Sequence, residues 1–415
     1  MDQRVNRIPF IITGIVLAFA TGVLFTWPYF RAPLAEMFPT WTPGNLSTVF
    51  SLHNALVCVS MFLTGIIAKR VPRRALFAVS AALIAIGLGM YSLLPADDPG
   101  TAYRMAFVGF AVIAAAGAGI SATCWMGTFV LWVPDHVGLM AGGMLFMYGS
   151  CPLVYGAISS VMIPVIGIGS TIAALGGTSA ALILLVLPWA RLPRPGEILP
   201  PAPHWKENKS DASYTPRQML KTPSFWALFL FSLSIRSAGL IFVDHSADIA
   251  MSVGATAMFG MLYAPANGSS SFLAGMVVDK LGSYKTMRIV GAMLLMSSVV
   301  LYLGSKSGIM AIALVGLISA GFAFGGSAAV TSSSIRILFG SKHYTQNFST
   351  STVSILIASL FSFIGGMLVD AMEGSFNGVY IMTTILAVVA IICTVTLSAY
   401  IRKIEASEQR CVSDM

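Results

Sequence analysis

The sequence predicts an all-α integral membrane protein, with twelve transmembrane helices arranged as two pseudo-symmetric six-helix halves. Three observations predict it. Of the 415 residues, 56% are hydrophobic and only 10% charged, with mean hydropathy +0.83, far from the composition of soluble globular proteins. Twelve apolar segments follow one another, each long enough to cross roughly 30 Å of hydrocarbon as a helix of about 20 residues. A sequence repeat recurs on either side of the longest polar stretch in the chain, "ARLPRPGEILPPAPHWKENKSDASYTPRQMLKT".

The first half takes the segments near 8–30, 46–68, 75–95, 103–133, 138–162 and 165–189. The second takes 223–248, 253–278, 286–304, 308–335, 345–371 and 376–401. These divide the chain into an N-terminal half (1–190), a linker (191–222), a C-terminal half (223–401) and a tail (402–415). Arg4 and Arg7 before the first segment imitate a secretory signal, but the stretch is too long and eleven more follow, so it reads as an uncleaved helix. In the same segment Trp27 and Tyr29 precede Arg31, which reads as snorkelling to the membrane surface. In the second, "VFSLHNALV" places His53 and Asn54 roughly 10 Å inside the membrane. Histidine titrates near neutrality, which suits proton coupling, while a hydrogen-bonded packing role fits equally.

"AAAGAGISA" in the fourth segment and "AGFAFGGSA" in the tenth read as close helix contacts, since no strand–turn–helix context makes them phosphate loops. The fifth, "MYGSCPLVYG", offers Tyr148 and Tyr155 either to packing or to a substrate. The seventh, "FLFSLSIRSAGLIFVDH", has a cation in its middle. Charged groups within the bilayer are costly unless paired or facing a water-filled cavity, so Arg236 is the leading functional candidate. Thirteen residues from Pro223, at about 1.5 Å each, it lies near 20 Å deep, and its planar fork matches a carboxylate. The alternative is a structural arginine held by a fixed partner. Asp244, eight residues on, is too far along a straight helix to pair with it. Asp244 and His245 read either as a gate or proton site, or as a solvated helix end. In the eighth, "MLYAPANGSSSFLAG" sets Tyr263, Asn267, Ser270 and Ser271 beside Pro265 and Gly268, for substrate contact or interhelical hydrogen bonds.

Basic residues mark the cytoplasmic side. With both termini cytoplasmic, 20 of the 24 Lys and Arg fall there, leaving Arg31, Arg104, Arg236 and Lys306. The net charge of +8 is therefore topological and implies no nucleic acid. Cys58, Cys124, Cys151 and Cys393 lie inside segments and Cys411 in the tail, without metal-ligand spacing. No enzyme constellation, metal site or cofactor motif emerges.

The repeat pairs "TGIIAKRVPRR" from Thr64 with "AGMVVDKLGSYK" from Ala274, offset by 210 residues in parallel topology. The second copy carries Gly275, Asp279, Lys280 and Gly282, a helix end where an acid meets neighbouring cations and glycine allows a tight turn. This resembles the loop signature of the major facilitator superfamily; in the first copy Lys69 stands where the acid would be. "GVLFTWPYFRAPL", "LWVPDHVGLMAGG" and "YTPRQMLKTPSFWALFLFS" resemble the oxalate:formate antiporter family and its monocarboxylate-carrier neighbours.

The resemblance implies proton-linked or exchange transport of small carboxylates through a cavity between the halves. Oxalate-transporting members have an arginine where this chain has Ser271, and a lysine in the eleventh helix, where no lysine or arginine lies between Lys342 and Arg402. That argues against a dicarboxylate held by two cations. The expectation is a monomeric carrier of a small organic anion, with Arg236 as charge partner, Asn267, Tyr263, Ser271, Trp27 and Tyr155 around the substrate, and His53, Asp244 and His245 for protons or gating. Carriage of neutral or cationic amphiphiles and a non-transporting sensor are the alternatives.

Overall fold

The computed structural model of the chain describes residues 3–4, 6–68, 70–133, 137–194, 197–198, 214–340 and 343–413. Eleven long helical stretches carry the twelve crossings. They are α1 (Ile8–Met37), α2 (Pro43–Ile67), α3 (Arg73–Ser92), α4 (Pro99–Trp132), and a continuous Val137–Leu185 stretch that holds α5 (137–166) and α6 (168–185). After the linker come α7 (Pro223–Ser252), α8 (Tyr263–Leu281), α9 (Ser283–Ser307), α10 (Met310–Phe339), α11 (Tyr344–Ala371) and α12 (Asn377–Ser413). The α5–α6 junction turns at Gly167, whose φ of 81° lies in the left-handed region that glycine adopts without a Cβ clash.

Ten helices among the described residues are individually long and apolar enough to cross a membrane. The polar "ANGSSS" run of α8 lowers its hydropathy, and that run packs between α5 and α10 while Phe272, Leu273 and Met276 face outward. Most sequence segments and helices agree to within a few residues. Three differ by more: α8 starts ten residues later than expected, α12 runs twelve residues beyond its expected end, and α1 runs seven residues beyond its own through a tighter 3₁₀ stretch at Gly22–Thr26.

Large aliphatic side chains such as Val161, Ile381, Ile385 and Leu185 point outward, the reverse of a soluble protein, while Trp27, Trp125, Trp132 and Tyr380 are buried within. Small residues set the helix spacing: a Cβ on Gly119 would lie 2.6 Å from the Val57 carbonyl, and one on Gly321 2.6 Å from that of Tyr263. The four spanning-segment cysteines are buried and free, as packing residues.

Helix connections alternate between two ends. At the linker end, Arg191 lies over the stacked rings of Phe10 and Trp132, 5.0 and 4.8 Å from their centroids, and grips Glu197 through both nitrogens at 2.7 and 3.1 Å. These bonds hold the Glu197 carboxyl below the usual carboxylate range. Beside them β1 (Gln3–Arg4) pairs in parallel with β2 (Glu197–Ile198). The returning chain is fixed to the other half: Tyr214 N–H donates to the Phe339 carbonyl, and Asn347 Nδ2 donates to the Tyr214 carbonyl. Gly282, with φ 82°, turns the chain from α8 into α9, while Lys280 is exposed; the Asp279 side chain and Lys69 lie outside the described residues.

Candidate functional site

Helix α7 starts at a Thr222 N-cap, whose hydroxyl accepts the Phe225 N–H, with Pro223 pre-set for the first turn. From Ser234 to Ala247 every side chain is buried, so α7 runs through the middle of the molecule. Arg236 is 9% exposed, its Nε has no hydrogen-bond partner, and among the described residues it forms no ion pair. Its electrostatic neighbour is the thiol of Cys58 on α2, which donates to the Thr352 carbonyl on α11 at 3.6 Å. A buried guanidinium without a counter-ion among the described residues is a costly arrangement, one that an anion beside it would relieve.

Two turns further along α7 the situation reverses. Arg31 on α1 is 2% exposed, with Nη1 2.8 Å from Asp244 Oδ1 and Nε 2.8 Å from Asp248 Oδ2. Its Nη1 also donates to Ser47 Oγ on α2 at 3.1 Å. Asp244 accepts two further hydrogen bonds, from Trp27 Nε1 at 3.1 Å and from Ser362 on α11 at 2.9 Å. His245 Nε2 lies 3.3 Å from Ser47 Oγ, and its ring sits 3.6 Å from each of the two aspartates. Beside this cluster Asp370 on α11 accepts from Thr42 Oγ1 at 2.8 Å and from the Gly44 N–H at 2.9 Å, capping the N-terminus of α2 from the other half. The far end is therefore stitched shut across α1, α2, α7 and α11.

This corrects two expectations. Arg31 does not snorkel to the surface, because two carboxylates of the opposite half hold it inside. Asp244 and His245 are no solvated helix end, since both have zero exposure. Arg236 and Asp244 do not pair, and Asp244 takes Arg31 instead. Trp27 meets Asp244 rather than an open cavity.

The remaining candidates divide between packing and an interface cleft. His53 donates from Nδ1 to the Phe110 carbonyl at 3.0 Å and stacks on that ring at 4.4 Å, entirely within the N-terminal half. Tyr155 stacks on Phe19 at 4.7 Å, its hydroxyl buried without a partner. Ser270 and Ser271 donate to the Phe322 and Gly325 carbonyls of α10, the latter at 2.9 Å. Tyr263 and Asn267 help line a narrow cleft of about 20 Å³ between the halves, formed by Phe25, Pro28 and Tyr29 of α1, Gly149 and Pro152 of α5, and Val243 and Ser246 of α7, together with Gly260 and Ala264. The Tyr263 hydroxyl donates to the Gly239 carbonyl, one turn from Arg236.

The Major Facilitator Superfamily model matches residues 9–336. The chain belongs to that superfamily. Membership makes it a membrane transporter and not an enzyme, and an integral membrane protein. It is 26% identical over 401 residues to the oxalate:formate antiporter of Oxalobacter formigenes, spanning 93% of this chain and 90% of that one. Among solved structures it resembles the nucleoside transporter NupG, with TM-score 0.67 and 14% identity over 94% of this chain and 99% of that one. It also resembles a partially occluded inward-open form of the xylose transporter XylE from E. coli, with TM-score 0.65, 14% identity and the same coverages. At that identity the two structures carry the fold alone.

For a major facilitator protein the arrangement has a direct chemical meaning. Apart from the Ser362 hydroxyl, the donors to Asp244, Asp248 and Asp370 described above come from the N-terminal half, so separating the halves there exposes a cation on one side and carboxylates on the other. Asp248, Ser47, Ser362 and Asp370 were not singled out from sequence. A signal existed: adding the repeat offset of 210 to Arg31 gives position 241, one and two turns from the acids at 244 and 248.

Proposed function

We propose that this protein is a secondary carrier that moves a small organic anion, a monocarboxylate, across the cytoplasmic membrane by alternating access. Both termini and the basic loops face the cytoplasm, and the far end is the external gate. The observation that carries the reading is Arg236: a buried guanidinium without a fixed counter-ion among the described residues, deep in α7 where the halves meet. The relationship to an oxalate:formate antiporter supports an anionic substrate. A single such cation favours one carboxylate, because a second would enter a low-dielectric site uncompensated. The carrier works as a monomer. Moving a monoanion inward against a negative interior is opposed by about 2.3 kcal/mol per 100 mV, so a proton accompanies it or another anion leaves.

Uptake of labelled monocarboxylate into proteoliposomes tests this, with and without internal anion and at two external pH values. Arg236→Ala abolishes the flux, and Arg236→Lys, which keeps charge but loses the fork, weakens binding roughly 10-fold to 150-fold. Unchanged kinetics in Arg236→Ala would sink the reading.

A further inference from the structure

The far-end cluster holds one group that closure alone does not employ. His245 is wholly buried, its Nε2 lies 3.3 Å from Ser47 Oγ, and its two ring nitrogens stand 3.6 Å from Asp244 Oδ2 and from Asp248 Oδ2. Both carboxylate distances fall outside hydrogen-bonding range, and Nδ1 has no partner. Arg31 is the reason, since at 2.8 Å from each aspartate it already takes the place that an imidazolium would fill. A ring charged at both nitrogens would draw two N–H donors onto those oxygens, so the spacing fits a neutral histidine. The negative charge left over in the closed set falls on Asp248, which is 22% exposed and reaches water.

Opening changes this balance. Arg31, Trp27 and Ser47 belong to α1 and α2, whereas Asp244, His245 and Asp248 all belong to α7. When the halves part, Asp244 loses two of its three described donors and Asp248 loses its guanidinium, leaving two carboxylates one turn apart with Ser362 and the imidazole. Like charges at that spacing repel. The ring stands one residue after the first and three before the second, and histidine gains its proton near neutrality. The other elements packed around it offer no substitute among the described residues. On α11 the nearest residue is Gly365, and Asp370 beyond it is engaged by Thr42 and Gly44. On α12 the ring meets Phe376 at 5.6 Å, with the Tyr380 phenol a turn further on, while α10 and the Ala257–Gly260 turn bring no ionisable group to this end.

We propose that His245 is a proton-binding site of the external gate, and that a proton on its ring and the guanidinium of Arg31 are alternative counter-charges for Asp244 and Asp248. One proton from the external water enters the ring as Arg31 withdraws, and leaves it as Arg31 returns. Acid outside therefore favours the open gate and alkali the closed one. The inference rests on the reading of this end as the external gate and does not depend on the role of Arg236.

The test is the distance across the far end of the full-length protein in lipid nanodiscs, read between spin labels on Met37→Cys and Met372→Cys. Both positions are exposed and outside the cluster, the spanning cysteines are buried, and Cys411→Ser removes the tail thiol. The population with separated labels is expected to rise at least roughly tenfold relative to the closed one between about pH 8 and about pH 5.5, centred in the ordinary histidine range. His245→Gln flattens that response, while His53→Gln, on a histidine confined to the N-terminal half, leaves it intact. A separation that ignores pH, that grows toward alkali, or that is centred below about pH 5, where carboxylates titrate, overturns the proposal, as does a response that survives His245→Gln. Should His245→Gln fail to fold, the direction and midpoint of the wild-type profile decide on the same terms. Labels that never part, even with Arg31→Gln, overturn the reading of this end as a gate and this inference with it.

Discussion

Arg31 and Arg236 are two buried arginines of one protein, and their surroundings differ in every respect that matters electrostatically. Arg31 bridges the halves, its Nε and Nη1 each on a different aspartate of α7 and Ser47 completing the set. Arg236 lies deeper on α7 itself; its Nε has no hydrogen-bond partner, and among the described residues it has no carboxylate partner. The first is satisfied by the protein in this closed arrangement, so its role is to hold the arrangement. The second has no fixed counter-charge among the described residues, which supports its proposed role as partner of an arriving anion. A buried charge does not by itself announce function; the presence or absence of a fixed counter-charge sorts gate from binding site.

The contrast can be broken first by removing one partner from each site. Asp244→Asn leaves Arg31 short of one of its two carboxylates and costs about 3 kcal/mol, seen as a clear fall in melting temperature and faster labelling of a cysteine placed at Ser362. Arg236→Met, which removes an unpaired buried charge, leaves the melting temperature equal or higher while transport is lost. Equal destabilisation by both would erase the distinction. Asp370→Asn should loosen the same end by a smaller step, because only a hydroxyl and a backbone N–H lose their acceptor.

Arg31→Lys sharpens the comparison. A point charge cannot reach two aspartates and a serine at once, so it retains part of the closure and costs about 1–2 kcal/mol. Trp27→Phe removes one neutral donor to Asp244 and costs about 1 kcal/mol, with the ion pair intact. The smallest effect is expected outside the membrane. Glu197 titrates below its usual value, so its hold on Arg191 is present above the ordinary carboxylate pKa and is lost as pH falls through the lowered one. Protease sensitivity of the linker should therefore rise on acidification, and Glu197→Gln should flatten that response.

The fold was largely legible in sequence because apolar segments, polar breaks and a 210-residue repeat all report the same spacing. Even α8, whose serines and Asn267 lower its hydropathy, could be placed by its position in the repeat. The gate was not legible. Arg31 stands three residues after Pro28 near a helix end, where snorkelling is the ordinary outcome, and only packing of α1 on α7 brings Asp244 and Asp248 within 2.8 Å. Ser47 and Ser362 are invisible for a related reason, since a hydroxyl in a membrane helix most often bonds its own carbonyl a turn back, as Thr13 and Thr48 do here. His53 shows the limit from the other direction: its chemistry is conspicuous in the sequence, and its partner is a backbone carbonyl.

The two ends of the linker are moored to opposite halves, Arg191 and Glu197 to the first and Tyr214 to the second. Between Ile198 and Tyr214 lie fifteen residues, a contour length of about 50 Å when extended. The linker joins the two halves covalently. Its work is to keep two partners at high local concentration. The halves made as separate chains, divided within that stretch, should still find each other through the far-end stitches and the α2–α11 and α5–α8 contacts, with assembly that depends on how much of each is present.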